Sequence, residues 1–405
     1  MPVRNGIGSV LGALAVATAT AAAAMVSVAA IITVVMARRV VTPVGAREED
    51  LRILSVDLAA GEIVLESNAE ADMAGRYGLW FEHDSGHARL GDIRSHDGRV
   101  VRRDLTGVDF GRLARARRGR IDSFYHLGPW ELDHPYRNVV VETPLGPAPA
   151  WLVAAPDDGG RWVVQVHGRG GKRQEGLRAV EPAHAAGWST LLISYRNDGE
   201  APDSPDRRYG LGGTEWEDVI AAVRFARANG AEQIVLMGWS MGGAIALQAV
   251  LRSEELRDAV VGVILESPAI DWADILRFQG SALGLPERFG GVVTNVLSSP
   301  VAAGLTGLAA PIDLAALDIV ARADELEAPV LLLHSEDDGF VPIDGSRRLA
   351  QARPDLVEFE VFEQARHTKL WNHDPERWSR LIGGWLERRV APRPAGEHDA
   401  ADIVG

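Results

Sequence analysis

From about Asn138 onward the chain repeats one pattern: a short continuous apolar run, a helical stretch, then another apolar run. The runs WVVQVHG, TLLISYR, IVLMGW, VGVILESP, PVLLLHS and VEFEVFE lack the strict alternation of a strand with one wet face. Interleaved with them are LRAVEPAHAAG, WEDVIAAVRFARANG, AIALQAVLRS and SRRLAQA, with ERWSRLIGGWLERR after the last, and each reads as a helix. A strand that is apolar on both sides has to be covered on both sides. The alternation therefore predicts an α/β fold with a mostly parallel sheet and helices on both faces. VVVETPLGPAPAWLVAA, ahead of the first such strand, reads as a β-hairpin turning at PLGPAP. The pattern lapses between Ile270 and about Leu326, where a helical, glycine-containing insertion is expected to lie lid-like over the carboxyl edge of the sheet.

With 405 residues there is room for more than one domain. Residues 43–137 carry short alternating segments (LRILSVDL, GEIVLES, YGLWFEH, GRVVRRDL) between Gly, Asn, Asp and Ser, which predict a small β-rich domain. Residues 138–390 read as the α/β domain, with the insertion at 270–326; the polar stretch 391–405 has no period and is expected to be disordered. Ile7 to Met36 contains no charged residue. As a helix it would be roughly 45 Å long, enough for a hydrocarbon core of about 30 Å. Residues 1–42 are thus expected to hold a single membrane-spanning anchor, with a cleaved signal segment or a buried helix as alternatives. Arg4 on one side and Arg38, Arg39 and Arg47 on the other leave its orientation open.

A net charge of −14 argues against nucleic acid as a partner. The arginines at 112, 115, 117, 118 and 120 read as a solvated face, with lipid headgroups as the other reading. There is no cysteine, hence no disulfide and no thiolate metal site. His83 and His87 stand four apart, but in a β context they share no helix face, so no metal is expected there.

In an open parallel sheet, ligands bind beyond the carboxyl ends of the strands, and the polar clusters fall at such ends. Ser240 follows IVLMGW and stands between Gly238 and Gly242. A serine on a tight strand-to-helix turn needs small neighbours at that two-residue spacing. HGRGGKR, residues 167–173, follows another strand; its glycines allow the Arg169 amide to join that of Met241 as an oxyanion site. A phosphate cradle fails on spacing, since Gly168, Gly170 and Gly171 do not form the required loop and position 173 is arginine. No cofactor is expected. His167 reads as a structural hydrogen-bonding residue. Asp338, with Asp337 as the fallback, follows PVLLLHS, and His367 follows VEFEVFE. Serine, acid and histidine in that order, each after a strand, form a nucleophile–base–acid set.

HGRGG, GWSMGG, HSEDDGFVP and ARHTKLW together resemble the α/β-hydrolase superfamily, in particular its serine aminopeptidase-like and prolyl-oligopeptidase-like branch, over residues 138–390. The resemblance implies a Ser240–His367–Asp338 triad, an Arg169/Met241 oxyanion hole, and Asn197 and Asp198 near the pocket. Trp239, beside the serine, is a further pocket candidate. Ser335 stands where the family commonly has glycine. The expected activity is hydrolysis of an ester, amide or peptide bond in a small-molecule substrate, with acyl transfer or a non-catalytic tethered module as alternatives. A histidine base predicts activity that falls in mildly acidic buffer. Trp272, Ile275, Leu276, Phe278 and Leu285 of the insertion fit an acyl pocket and fit helix packing equally well.

Overall fold

The structure, a computed structural model, describes residues 29–389 apart from Ala46 and Glu287. Most of the apolar run Ile7–Met36 and the stretch 391–405 lie outside the described residues. Among the described residues no helix is long and apolar enough to cross a membrane. Residues 29–41 are helical and leave Ile31 and Val35 largely exposed.

Six strands form a closed barrel: β1 (Leu51–Asp57), β2 (Glu62–Glu66), β3 (Tyr77–Phe81), β4 (Gly86–His96), β5 (Val100–Phe110) and β6 (Arg118–Asp122). The order around it is β1-β2-β5-β4-β3-β6, closed by Leu51 opposite Gly119. Every second residue points inward, so Leu51, Ile53, Leu79, Phe81, Val101 and Leu105 fill it. Arg103 also lies wholly inside; burial alone would make its charge costly and lowers its pKa. Its guanidinium answers that cost by donating to the carbonyls of Ala71, Met73, Gly75 and Gly91.

The second body is an eight-stranded sheet of β7 (Tyr136–Thr143), β8 (Gly146–Val153), β9 (Arg161–Val166), β10 (Ser189–Ile193), β11 (Gln233–Trp239), β12 (Val260–Glu266), β13 (Val330–Ser335) and β14 (Val357–Phe362). Its order is β7-β8-β10-β9-β11-β12-β13-β14. Only β8 runs against its neighbours; the remaining pairs are parallel. Alternate residues of β11 enter different layers. Ile234 and Leu236 pack under the helices Trp216–Ala228 and Met241–Arg252, while Val235, Met237 and Trp239 pack under Pro375–Glu387. The helix expected at LRAVEPAHAAG is shorter than its pattern, a 3-10 turn over Arg173–Ala179 followed by Val180–Ala185.

The insertion folds as helices Trp272–Ala282, Arg288–Ser298 and Ala303–Thr306. The expected lid is corrected here. Trp272, Ile275 and Leu276 are buried in the main core, Leu285 packs against it, and Trp272 Nε1 donates to Leu211 O at 2.9 Å. The sheet rim is roofed instead by the barrel. Arg76 N donates to Asn372 O (2.9 Å), and Asn372 Nδ2 donates to Arg76 O and Ser123 O (2.8 and 3.0 Å). Gly75, at φ +107°, makes this approach close: a Cβ there would stand 2.1 Å from Asn372 O.

Candidate active site

Ser240 sits between β11 and the helix Met241–Arg252 with φ +50° and ψ −117°, a conformation that costs a non-glycine residue energy. The neighbourhood holds it there. Its N–H donates to Glu266 O (3.0 Å), and its carbonyl accepts from Gly243 N (3.1 Å) and Ala269 N (3.0 Å). A Cβ on Gly242 would stand 2.1 Å from Val166 O, and one on Gly238 2.4 Å from Gly242 O. No side chain fits at either place, which explains the two-residue glycine spacing around the serine.

The loops after β13 and β14 bring two distant side chains to this turn. His367 Nε2 lies 2.9 Å from Ser240 Oγ, and its Nδ1 lies 2.7 Å from Asp338 Oδ2. Asp338 Oδ1 accepts from the amides of Phe340 and Val341, both at 2.8 Å. Burial by itself would raise the pKa of Asp338. The His367 charge and hydrogen bonds from His334 and His367 outweigh it and hold the carboxyl well below the usual carboxylate range. Asp337, the fallback acid, turns outward to pair with Arg366 at 3.2 Å. Ser335, at the family's glycine position, has a use of its own. Its Oγ accepts from Asp337 N (3.1 Å) and Ala365 N (3.0 Å), joining the acid loop to the histidine loop.

The amides of Arg169 and Met241 have no hydrogen-bond partner among the described residues, as an oxyanion site would require of its donors. The loop that carries Arg169 is tied down from several directions. Glu175, buried and missed in the sequence, accepts from Gly168 N at 2.6 Å. Arg178 donates to Glu175 (3.2 Å) and to Thr368 O beside the histidine (2.7 Å). The Arg169 guanidinium donates to Arg39 O, Val40 O and Thr42 O, the last turn of helix 29–41, at 2.5, 2.8 and 2.9 Å. Helix ends leave such carbonyls unpaired, and a cation there is favourable. Arg47 bridges Gly170 O and Asp122 Oδ2, both at 2.6 Å. No local pattern marks Glu175, Arg178 or Arg47; only an acid and a base three apart at 175 and 178 could have been noticed.

One pocket candidate, Trp239, is corrected, while Asn197 and Asp198 do line a cavity beside the site. Trp239 is wholly buried under the sheet with Nε1 donating to Glu266 (2.9 Å). Asp198 spends its carboxylate on His167 Nε2 (3.1 Å) and on the amides of Tyr195, Glu200 and Ala201. Asn197, at φ +68°, is engaged with Ser204 and Arg208 O. Both line that cavity from a loop held by its own hydrogen bonds. His167 is buried, stacked on Tyr195 with ring centres 4.2 Å apart.

Ser240 and His367 open onto a slot of about 260 Å³. Its near wall is Gly168, Arg169, Gly171 and Phe340; its far wall is Ile121 to Phe124 at the end of β6, with Val44 and Arg47. None of the described residues of the insertion lines it. The arrangement provides a hydroxyl hydrogen-bonded to an imidazole, a buried carboxylate behind it and two free amides, the parts needed to attack a carbonyl.

A family model described as "Alpha/beta hydrolase family" matches residues 163–381, more than half of the 405 residues. A second, "Domain of unknown function", matches residues 52–122. The chain is similar to human protein ABHD12B, 25% identical over 238 residues, which are 57% of this chain and 59% of that protein. It thus spans less than two thirds of that relative. It is also similar to the pimeloyl-[acyl-carrier protein] methyl ester esterase of Aliivibrio salmonicida, 28% identical over 196 residues, 41% of this chain and 72% of the other. Among solved structures, an esterase of Pyrococcus furiosus aligns with a TM-score of 0.49 and 20% identity, covering 65% of this chain and 94% of that one.

Proposed function

Because the chain belongs to the alpha/beta hydrolase family, we propose that it is a serine hydrolase that cleaves an ester or amide bond through an acyl-enzyme on Ser240. His367 Nε2 takes the hydroxyl proton as Ser240 Oγ attacks the carbonyl carbon. Asp338 fixes the imidazole so that Nε2 faces the serine, and stabilises the imidazolium that forms. The Arg169 and Met241 amides receive the oxyanion. His367 then returns the proton to the leaving group, and a water deprotonated by the same imidazole attacks the acyl carbon and frees Ser240.

The observation that carries this reading is the single imidazole shared between Ser240 Oγ at 2.9 Å and Asp338 Oδ2 at 2.7 Å. Ester cleavage is favoured over amide cleavage by the esterase among the similar proteins. The apolar run Ile7–Met36 supports attachment of the chain to a membrane. In the test, Ser240→Ala is expected to lower kcat on p-nitrophenyl acetate by at least about 10³-fold with an unchanged unfolding temperature. Turnover within about twofold of the parent would reject the assignment.

A further inference from the structure

Next to the catalytic slot lies a larger cavity of about 520 Å³, enclosed between the barrel with the segments that enter and leave it and the loops after β9 and β10. The two spaces share Val44, Arg47, Asp122 and Phe124, so they adjoin along one wall. The slot is smaller than the roughly 300–1,000 Å³ typical of sites for drug-sized ligands, whereas the cavity falls within that range. Its apolar lining includes Trp80, Phe110, Phe124, Leu127 and Trp130, and two of these are left open, Trp130 at 61% and Phe110 at 42% exposure. Three lining side chains carry a buried polar atom without a partner among the described residues: Trp80 Nε1, Arg120 Nε and Gln174 Oε1. Two of those are donors, and a buried donor without an acceptor is costly. The charges around the dividing wall offset one another, Arg47 and Arg120 on Asp122, and Arg120 on Asp84. Nothing there demands an ionic ligand.

We propose that this cavity is the second compartment of the substrate site, and that it receives the bulky, mainly apolar part of an ester that carries a hydrogen-bond acceptor. The barrel thereby selects the substrate whose carbonyl the rim of the sheet attacks. The inference rests on the serine-hydrolase reading. It goes beyond that reading by assigning substrate selection to the domain of residues 52–122 and the connector behind it.

The full chain, in detergent, is assayed with two ester series, p-nitrophenyl esters from acetate to decanoate, and acetate esters of alcohols of rising size. Leu127→Trp fills the cavity; Trp130→Ala removes an exposed wall at little risk to folding. The wild type is expected to favour large members of one series. Leu127→Trp should lower kcat/KM for those by about tenfold while p-nitrophenyl acetate changes less than about twofold. Trp130→Ala should act in the same direction, by about threefold. A size preference that neither variant alters in either series overturns the proposal, as does a loss equal for acetate and large esters. A wild type without Ser240-dependent turnover of p-nitrophenyl acetate is a different result, and removes the hydrolase reading itself.

Discussion

The serine turn and the loop that carries Arg169 lie side by side, a Cβ on Gly168 standing 3.3 Å from that of Ser240, yet they are held by opposite means. Around Ser240 the constraints are backbone ones: two glycines without room for a Cβ, and main-chain hydrogen bonds to β12 and the loop after it. Around Arg169 they are side chains from far along the chain. Arg169 reaches back 127 to 130 positions to the end of helix 29–41, and Arg47 reaches forward 123 positions to Gly170. One half of the site is set by the local fold of the sheet. The other depends on how the N-terminal segment and the barrel are seated. Ordinary truncation to the hydrolase body would keep the first and lose the second.

The sharpest way to break the backbone half is Gly242→Ala. The added Cβ meets Val166 O, a backbone atom that cannot step aside. The variant is expected to lose about 3 kcal/mol or more of stability in urea unfolding, with activity lost alongside. A stable, active variant would mean that the serine turn is looser than described. For the loop half, Arg169→Gln keeps a side chain but gives up the cationic fork that meets the helix carbonyls. Its kcat is expected to fall about 10- to 100-fold with little change in KM, since a misplaced oxyanion donor weakens the transition state alone. An equal loss in KM, or no loss, would remove the contrast between the two halves.

The division explains what could be read in advance. The strands of the sheet, their order of chemistry and Ser240, Asp338 and His367 follow from continuous apolar runs and from residues placed just after them. The barrel is less readable. Its short strands alternate plainly, but closure depends on Leu51 meeting Gly119, a pairing that no local pattern announces. The insertion misled because apolar residues at helical spacing look the same whether they roof a site or pack into a core. Trp272 and Ile275 do the second. Arg178 and Asn372 stayed hidden because each acts through partners distant in the chain, Thr368 for Arg178 and Ser123 for Asn372.

Two smaller effects bear on the acid and histidine loops, which lie between these extremes. The Asp338 carboxyl has a depressed pKa in the fold. Its stabilising contribution is therefore complete above the unfolded value of about 4 and fades as pH falls toward the folded one. The stability gap between wild type and Asp338→Asn is expected to stay constant from pH 7 to pH 5 and to narrow below about pH 4. A gap that closes between pH 7 and pH 5 would show the carboxyl protonating far earlier than its surroundings imply. Ser335→Gly restores the family's usual residue and removes the shared acceptor of Asp337 N and Ala365 N. A loss of about 1 kcal/mol in unfolding free energy is expected, with kcat lowered a few-fold; an unchanged protein would make the serine a neutral departure.

The most direct test asks where the chain becomes acylated. Reaction of the full-length protein with a fluorophosphonate, followed by peptide mass spectrometry, is expected to give one adduct, on Ser240, and none in the His367→Ala variant over the same time. An adduct on another residue, or labelling of Ser240 that is indifferent to His367, would contradict a nucleophile activated by that imidazole.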